Sequence, residues 1–205
     1  MDWDAIKSIA TRAYVCGHCG AHIASQKGWF ATVKVNGVGR PVAHIHVCHL
    51  CDKPTFFDGQ TKRQVPGAAY GDDVRDVSDG QVAALYDEAR NVMKVGGFTA
   101  SVLACRKLLM HIAVSKGARA GLRFIEYVEY FASKNYIPPE ATEWVDHIRR
   151  KGNEANHEIT IMSEDDARDL LNFSEMLLKM IYEFPAAAKR KTASASTGSG
   201  ALPSP

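Results

Sequence analysis

The second half of the chain alternates apolar and polar residues with the period of an α-helix. The first such segment follows Ser78-Asp79, a suitable N-cap, and ends at Gly96-Gly97. Its apolar residues lie three or four positions apart: Val82, Leu85, Tyr86, Ala89 and Met93. The same pattern recurs at about 98–116, 122–134, from Pro138-Pro139 onward, and at 163–184. Five amphipathic helices with short connections predict an antiparallel helical bundle over residues 80–186, and hence a mainly α fold.

The first 57 residues follow a different pattern. Residues 1–13 have the apolar spacing of a short amphipathic helix. The apolar residues concerned are Trp3, Ile6, Ile9 and Ala10. A β-hairpin follows, with strands at 29–35 and 41–47 joined by Asn36-Gly37, a pair that readily adopts the positive φ angles of a tight turn.

Composition sets the remaining boundaries. Residues 58–79 are rich in Gly, Pro and Asp, which predicts a linker with little structure of its own. Residues 187–205 combine three cations with small polar residues, which predicts a disordered basic and Ser-rich tail. The predicted order is therefore a short helix and hairpin module (1–57), a linker (58–79), a helical bundle (80–186) and a tail (187–205).

Two Cys-x-x-Cys knuckles flank the predicted hairpin: Cys16 with Cys19, and Cys48 with Cys51. Each knuckle aims two sulfurs at one ion, and four thiolates complete a tetrahedral zinc site. A thioredoxin-like redox pair or unrelated buried thiols are the alternatives, but paired knuckles around a hairpin favour a zinc ribbon. A disulfide framework is disfavoured because the sequence begins without a secretory signal. We therefore predict one structural Zn²⁺ in a closed site with no position for a substrate.

Other side chains of this module leave alternatives open. Five histidines accompany the knuckles, and they either form a polar surface or supply a replacement ligand or a second metal site. They are His18, His22, His44, His46 and His49. Trp29 and Phe30, with Lys27, Lys34 and Arg40, either contribute to core packing or offer stacking and charge to a nucleic acid.

Charge is unevenly distributed along the 205 residues, whose formal net charge is +2. Residues 1–70 hold 8 Lys or Arg against 4 Asp or Glu, residues 71–188 hold 14 against 19, and residues 189–205 add 3 cations. The formal charges are thus +4, −5 and +3, which does not favour a strongly basic nucleic-acid binder but permits a local basic patch. No window reaches the ~18 uninterrupted apolar residues of a membrane helix. We therefore expect a cytoplasmic protein.

The segment from Trp144 to Glu158 is the strongest candidate for chemistry. If one helix continues through Gly152, then Arg150, Asn153 and His157 share one face. A guanidinium, an amide and an imidazole together suit phosphate binding or proton transfer. The structural alternative is that Gly152 allows close helix packing, Asn153 bonds to the backbone and His157 caps the helix end.

Three stretches resemble a known family: Leu85-Tyr-Asp-Glu-Ala-Arg, Ser101-Val-Leu-Ala-Cys-Arg106-Lys-Leu-Leu, and Ile148 to Glu158. They resemble the bacterial helical domain of unknown function 4145 over about residues 80–186, and that family looks related to the HEPN superfamily. The resemblance implies an antiparallel helical bundle that often dimerises and acts in defence, toxin–antitoxin or RNA-processing systems. Arg106 is a second anchor of this resemblance.

HEPN ribonucleases share an Arg-(Asn/Asp/His)-x-x-x-His signature, which is paired across a dimer and cleaves RNA without metal. In this chain Asn153 and His157 match the signature, Gly152 occupies the position of its arginine, and Arg149 and Arg150 lie nearby.

Two functions follow as hypotheses. The favoured one is a binding module that recognises RNA, DNA or a protein, with the chemistry belonging to a partner such as a nuclease or helicase. The alternative is a metal-independent endoribonuclease that acts as a homodimer, with His157 as general acid or base and Arg150 clamping the phosphate, beside Arg149 and Asn153. A nucleotide sensor is a third possibility, but the chain lacks a Gly-x-x-x-x-Gly-Lys loop.

Overall fold

A computed structural model describes residues 3–138, 145, 148 and 161–197. The chain divides into two compact units, Met1–Tyr70 with Asn91–Gly97, and Gly71–Arg90 with Phe98–Pro205. Of the described residues, 43% are helical and 23% are in strands. The fold is therefore mixed α/β, and the expected mainly α class is wrong, because a five-stranded sheet occupies the first unit where only a hairpin was predicted.

The first unit contains an antiparallel sheet whose strands follow one another in chain order. The strands are β1 (Lys7–Val15), β2 (His22–Val35), β3 (Val38–Val47), β4 (Pro54–Asp58) and β5 (Gln64–Val65). The predicted hairpin is present as β2 and β3, and its turn residues Asn36 and Gly37 have φ angles of 52° and 79°. Both strands extend beyond the predicted bounds.

The predicted helix within residues 1–13 is wrong, because β1 occupies Lys7–Val15. This strand pairs with β2, from Lys7 opposite Gly28 to Val15 opposite His22. A short helical pattern is a weak local signal, and main-chain pairing with a neighbouring strand outweighs it. Thr11, Tyr14 and Val15 also suit a strand, since β-branched and aromatic side chains fit a pleated surface.

The helices of the second unit begin with α1 (Gly80–Met93), whose last residues belong to the first unit, followed by α2 (Phe98–Ser115) and α3 (Phe124–Ser133). Next come α4 (Glu164–Leu178), a π-helical turn (Lys179–Glu183) and α5 (Phe184–Thr197). Helix α2 packs against α3 and α4 around fully buried side chains. These include Leu109, Ile112, Val128, Phe131, Phe173 and Leu177. Of the predicted fourth helix, only Val145 and Ile148 are described, and both are helical and buried.

The tail is not disordered from residue 187 as predicted, because α5 continues to Thr197. Helix α5 continues directly from the π-helical turn at Lys179–Glu183, so the costly first turn of a new helix does not have to form. Its Ala, Lys and Arg residues are also good helix formers. The composition of small and polar residues gave no sign of this continuation.

The stretch from Gly71 to Asp79 lies within the predicted linker but is held against helices of the second unit. The Asp72 amide donates to Glu175 Oε2 at 2.9 Å, and the Asp72 carboxylate pairs with Lys179 Nζ at 2.8 Å. The Tyr86 hydroxyl donates to the Asp72 carbonyl at 2.9 Å. Further along, Arg190 pairs with Asp76 at 2.7 Å. This segment is therefore tied down by main-chain and ionic contacts that composition alone does not reveal.

One helix in the described part of the chain, α2, is long and apolar enough to cross a membrane by length and composition. Eight of its residues are buried, among them Val102, Leu108 and Ala113. The core helix of a globular unit passes the same test, so this is weak evidence for a membrane span.

Candidate metal centre

Four sulfur atoms converge at one end of the sheet. The Sγ atoms of Cys16, Cys19, Cys48 and Cys51 all lie within 4.8 Å of one another, and we call this group the cysteine cluster. Cys16 and Cys51 are 3.8 Å apart, as are Cys19 and Cys48. A tetrahedron with such edges has its centre about 2.3 Å from each corner, which is a normal metal–thiolate bond length. The cluster can therefore hold one metal ion.

The two knuckles have the same backbone conformation. In each, the amide of the first cysteine donates to the carbonyl five residues on, and the amide four residues on donates back to the carbonyl of that cysteine. The four bonds are Cys16 N to Ala21 O (2.9 Å), Gly20 N to Cys16 O (2.8 Å), Cys48 N to Lys53 O (3.0 Å) and Asp52 N to Cys48 O (2.9 Å). Gly20 and Asp52 close these turns with φ of 72° and 55°. Glycine and aspartate tolerate this left-handed region, so the sequence favours the same turn twice.

The rest of the sheet supports the first knuckle. A Cβ atom at Gly17 would come within 2.4 Å of the carbonyl oxygens of Pro66 and Gly67, so this close approach requires glycine. Gln64 Nε2 donates to the Val15 carbonyl at 2.7 Å, just before Cys16. The segment around β5 thus fixes the position of the knuckle, although it was predicted to be a linker.

Burial and hydrogen bonding shift the pKa values of the cluster thiols in different directions. Burial raises the pKa of the Cys51 thiol to about 12, and the neighbouring cysteines add to this. The pKa of Cys16 is lowered, because backbone N–H groups of Cys19 and His18 outweigh the effect of burial. Four thiolates this close repel one another, so the fully ionised cluster needs a cation at its centre.

The five histidines do not add a further ligand group. His46 is buried in the sheet with its ring 5.5 Å from that of Phe57, and His18 Nε2 is 3.0 Å from the Pro54 carbonyl. Within the described residues, no second set of three or more Cys, His, Asp or Glu ligands gathers at one point. Of the two alternatives, a polar surface around the module agrees better with this arrangement than a second metal site.

The predicted catalytic residues Arg149, Arg150, Asn153 and His157 lie outside the described residues, so their proposed roles stay predictions. The anchor residue Arg106 is described: it is buried in α2, with its guanidinium 4.6 Å from the centroid of the Phe124 ring. Cys105 is fully buried, and burial raises its pKa to about 12, which is consistent with a core residue and not a nucleophile.

Phe56 is exposed on the sheet and was not singled out from the sequence. It lies just before residues 58–79, whose composition predicts a linker. A strand signal at 54–58 was available in Pro-Thr-Phe-Phe, two aromatics after a β-branched residue, but it is too short to decide alone.

The fold and the cysteine cluster define a mixed α/β protein with a helical unit and with four cysteines placed to hold a metal ion. The model of a family described as a domain of unknown function (DUF4145) matches residues 87–194, which begin within α1 and end within α5. These 108 residues are more than half of the 205, so the chain belongs to this family. No curated protein and no solved structure matches the chain.

Proposed function

We propose that this protein is a zinc-stabilised binding module that acts with nucleic-acid-processing or defence machinery. The observation that carries the proposal is the geometry of the cysteine cluster. Four thiolates within 4.8 Å of one another can fill all four positions of a tetrahedral Zn²⁺ site, which would leave none for water or substrate, as in structural zinc centres and unlike catalytic ones. The metal stabilises the fold, and the function lies in the surfaces that it supports.

Zinc is the ion that suits this donor set best. Thiolates select soft or borderline ions, and a closed tetrahedral Cys₄ site is typical of zinc, with iron as the main competitor. The first unit is too small to bury much apolar surface, and small modules of this kind depend on a metal for stability. Chelation is therefore expected to unfold the sheet unit.

Metal analysis tests this assignment. The purified chain should contain one zinc ion, and Cys48→Ser should lose it or bind it far more weakly. Cys105→Ser is the matched control, because Cys105 is the fifth cysteine and lies outside the cluster. A visible iron–sulfur absorption in place of zinc, or equal metal loss from both variants, contradicts the zinc assignment.

Nucleic acid or its processing machinery is the proposed partner because the first unit is basic. Residues 1–70 carry 8 Lys or Arg against 4 Asp or Glu, and four thiolates with a divalent ion reduce this +4 to about +2. Binding of the zinc-loaded chain to mixed RNA and DNA pools, and affinity capture from native cells to find a nuclease or helicase, test the proposal. No retention of nucleic acid and no reproducible partner would contradict it.

The second candidate, a metal-independent endoribonuclease, depends on the sequence match at Asn153 and His157 with Arg149 and Arg150 nearby. It requires a homodimer, which light scattering at several concentrations detects. Cleavage of mixed RNA without added divalent metal should be lost in His157→Ala. Cleavage that persists in this variant indicates a contaminating nuclease, and no cleavage by a confirmed dimer contradicts the candidate.

A further inference from the structure

An apolar row crosses four strands on one face of the sheet. Trp29 is opposite Ile45, Ile45 is opposite Phe56, and Phe56 is opposite Val65. Residues directly opposite each other in an antiparallel sheet project to the same side, so these four side chains share a face. Phe56 is 40% exposed and Val65 is 46% exposed. We call this side of the sheet the pocket face.

The pocket face continues onto a projecting arm. Residues 32–41 of β2 and β3 pair only with each other and are all exposed. Val33 is opposite Arg40 and Val35 is opposite Val38, and alternation along β2 places them on the side of Trp29. Two-stranded ribbons are marginally stable without a covering layer, so this exposed apolar side is suited to a partner.

A cavity of about 180 Å³ opens on this face. It is lined by Trp29, Phe30, Ala31, Ala43, His44, Ile45 and Phe56. Because a cavity of about 150 Å³ admits benzene, this one has room for a single flat ring. The rings of Trp29 and Phe56, which share the pocket face, provide surfaces on which such a ring can stack.

The surrounding strands carry more cations than carboxylates. Residues 5–51 contain no Asp or Glu but five cations, Lys7, Arg12, Lys27, Lys34 and Arg40. A four-thiolate site with a divalent ion contributes −2, so this stretch retains about +3. Asp58 is the single acidic residue within the five strands; it is opposite Ala43 on the pocket face, and its Oδ1 accepts from the amides of Gln60 and Thr61 at 2.7 and 2.9 Å. The strands thus carry net positive charge, and the register places Arg40, opposite Val33, on the pocket face.

We infer that the pocket face binds single-stranded nucleic acid, with a base stacked between Trp29 and Phe56 and the phosphates near Arg40. This inference rests on the proposed function and names its surface and ligand class. A base in a duplex cannot enter the cavity, whereas an unpaired base stacks readily on aromatic side chains while cations track the backbone. An acidic peptide would also match the positive charge. A nucleotide matches both features, because its phosphate matches the charge and its flat base fits the cavity.

Fluorescence anisotropy of a labelled short oligouridylate or oligothymidylate with the zinc-loaded full chain tests the inference. Phe56→Leu keeps the apolar volume but removes the stacking surface, so binding should weaken about five- to hundredfold. Phe56→Tyr retains the ring and should bind within about twofold of the parent. Val95→Ala, an exposed truncation outside the strands and the knuckles, is the control for nonspecific effects.

A second pair of variants tests the electrostatic part. Arg40→Gln should lower the slope of log K against log salt by about 0.7, the value of one phosphate contact on a single strand. Lys34→Gln is the matched control, because Lys34 is opposite Gly39 on the other side of the arm. Zinc content and circular dichroism confirm that each variant is folded.

The outcomes separate this inference from the proposed function. Equal weakening by Phe56→Leu, Phe56→Tyr and Val95→Ala, or tighter binding of duplex than of single strands, overturns the inference while nucleic-acid binding stands. No binding to any nucleic acid overturns both. Binding of an acidic, leucine-rich peptide that tolerates Phe56→Leu, without oligonucleotide binding, shows that the face docks protein instead.

Discussion

Replacing Gly17 with alanine should weaken metal binding without touching a cysteine. Gly17 follows Cys16 in the first knuckle. The new Cβ atom would lie 2.3 Å from the Gly67 carbonyl oxygen and 2.4 Å from that of Pro66, whereas real Cβ atoms essentially never come closer than 3.0 Å. The knuckle or the opposing backbone must therefore move by at least 0.7 Å, the difference between 3.0 and 2.3 Å.

A displacement of this size is large compared with what a metal site tolerates. Metal–ligand distances in good sites fall within about 0.2 Å of their ideal values. Neither neighbouring atom belongs to a flexible side chain, since both are backbone carbonyl oxygens. Overpacking of this kind costs about 1–3 kcal/mol. The metal dissociation constant should rise by about five- to 150-fold, because 1.4 kcal/mol corresponds to a factor of ten.

Competitive titration of the zinc-loaded chain with a colorimetric chelator measures this change. Gly39→Ala is the matched control, because the nearest atom to its Cβ would be Thr32 Cβ at an ordinary 3.9 Å. Gly39 lies within β3, so alanine should leave zinc affinity unchanged and stabilise the strand by about 0.5–1 kcal/mol. If Gly17→Ala retains zinc as tightly as Gly39→Ala, the knuckle is not held in place by the segment at Pro66 and Gly67.

Three further predictions concern the helical unit, each checked by urea unfolding followed by circular dichroism. Phe131→Ala should destabilise it by about 3–5 kcal/mol, because the ring is fully buried, and a loss below 1 kcal/mol would contradict that packing. Ser163→Ala should cost about 1 kcal/mol, because the hydroxyl accepts from the Asp166 amide at the start of α4, and an unchanged midpoint would refute the cap. A hydrogen bond from His111 and two backbone amides lower the pKa of Asp79 below its usual value. The ionised Asp79 carboxylate therefore stabilises the folded state fully above its unfolded pKa of about 3.9, and this stabilisation is lost as the pH falls through the lower folded pKa. Asp79→Asn should reduce the loss of stability with falling pH in that range.

The cysteine cluster could be predicted from the sequence because its signal is local. Each Cys-x-x-Cys knuckle fits one turn, and Gly20 or Asp52 provides the positive φ that closes it. The hairpin was equally visible, since Asn36-Gly37 between alternating strands specifies both turn and register. The positions of most helices in the second unit followed from their periodicity, although α5 extended well beyond the predicted end.

Elements that depend on distant partners were not predictable in this way. Residues 7–15 carry a weak helical pattern, yet they form β1 because β2 offers main-chain hydrogen bonds. Residues 71–79 have the composition of a linker, yet Asp72 is held by Glu175 and Lys179, about a hundred residues away. Local propensity is worth tenths of a kcal/mol per residue, so such pairing readily overrides it.

The sequence by itself determined which four side chains can bind a metal and where the chain turns between them, because those constraints act over a few residues. Only the tertiary structure decided that Trp29, Ile45, Phe56 and Val65 share one face, and that the first three of them line a cavity. Their alignment depends on the register of four strands. Register is set by the packing and pairing of whole strands, and no single stretch of the sequence contains that information.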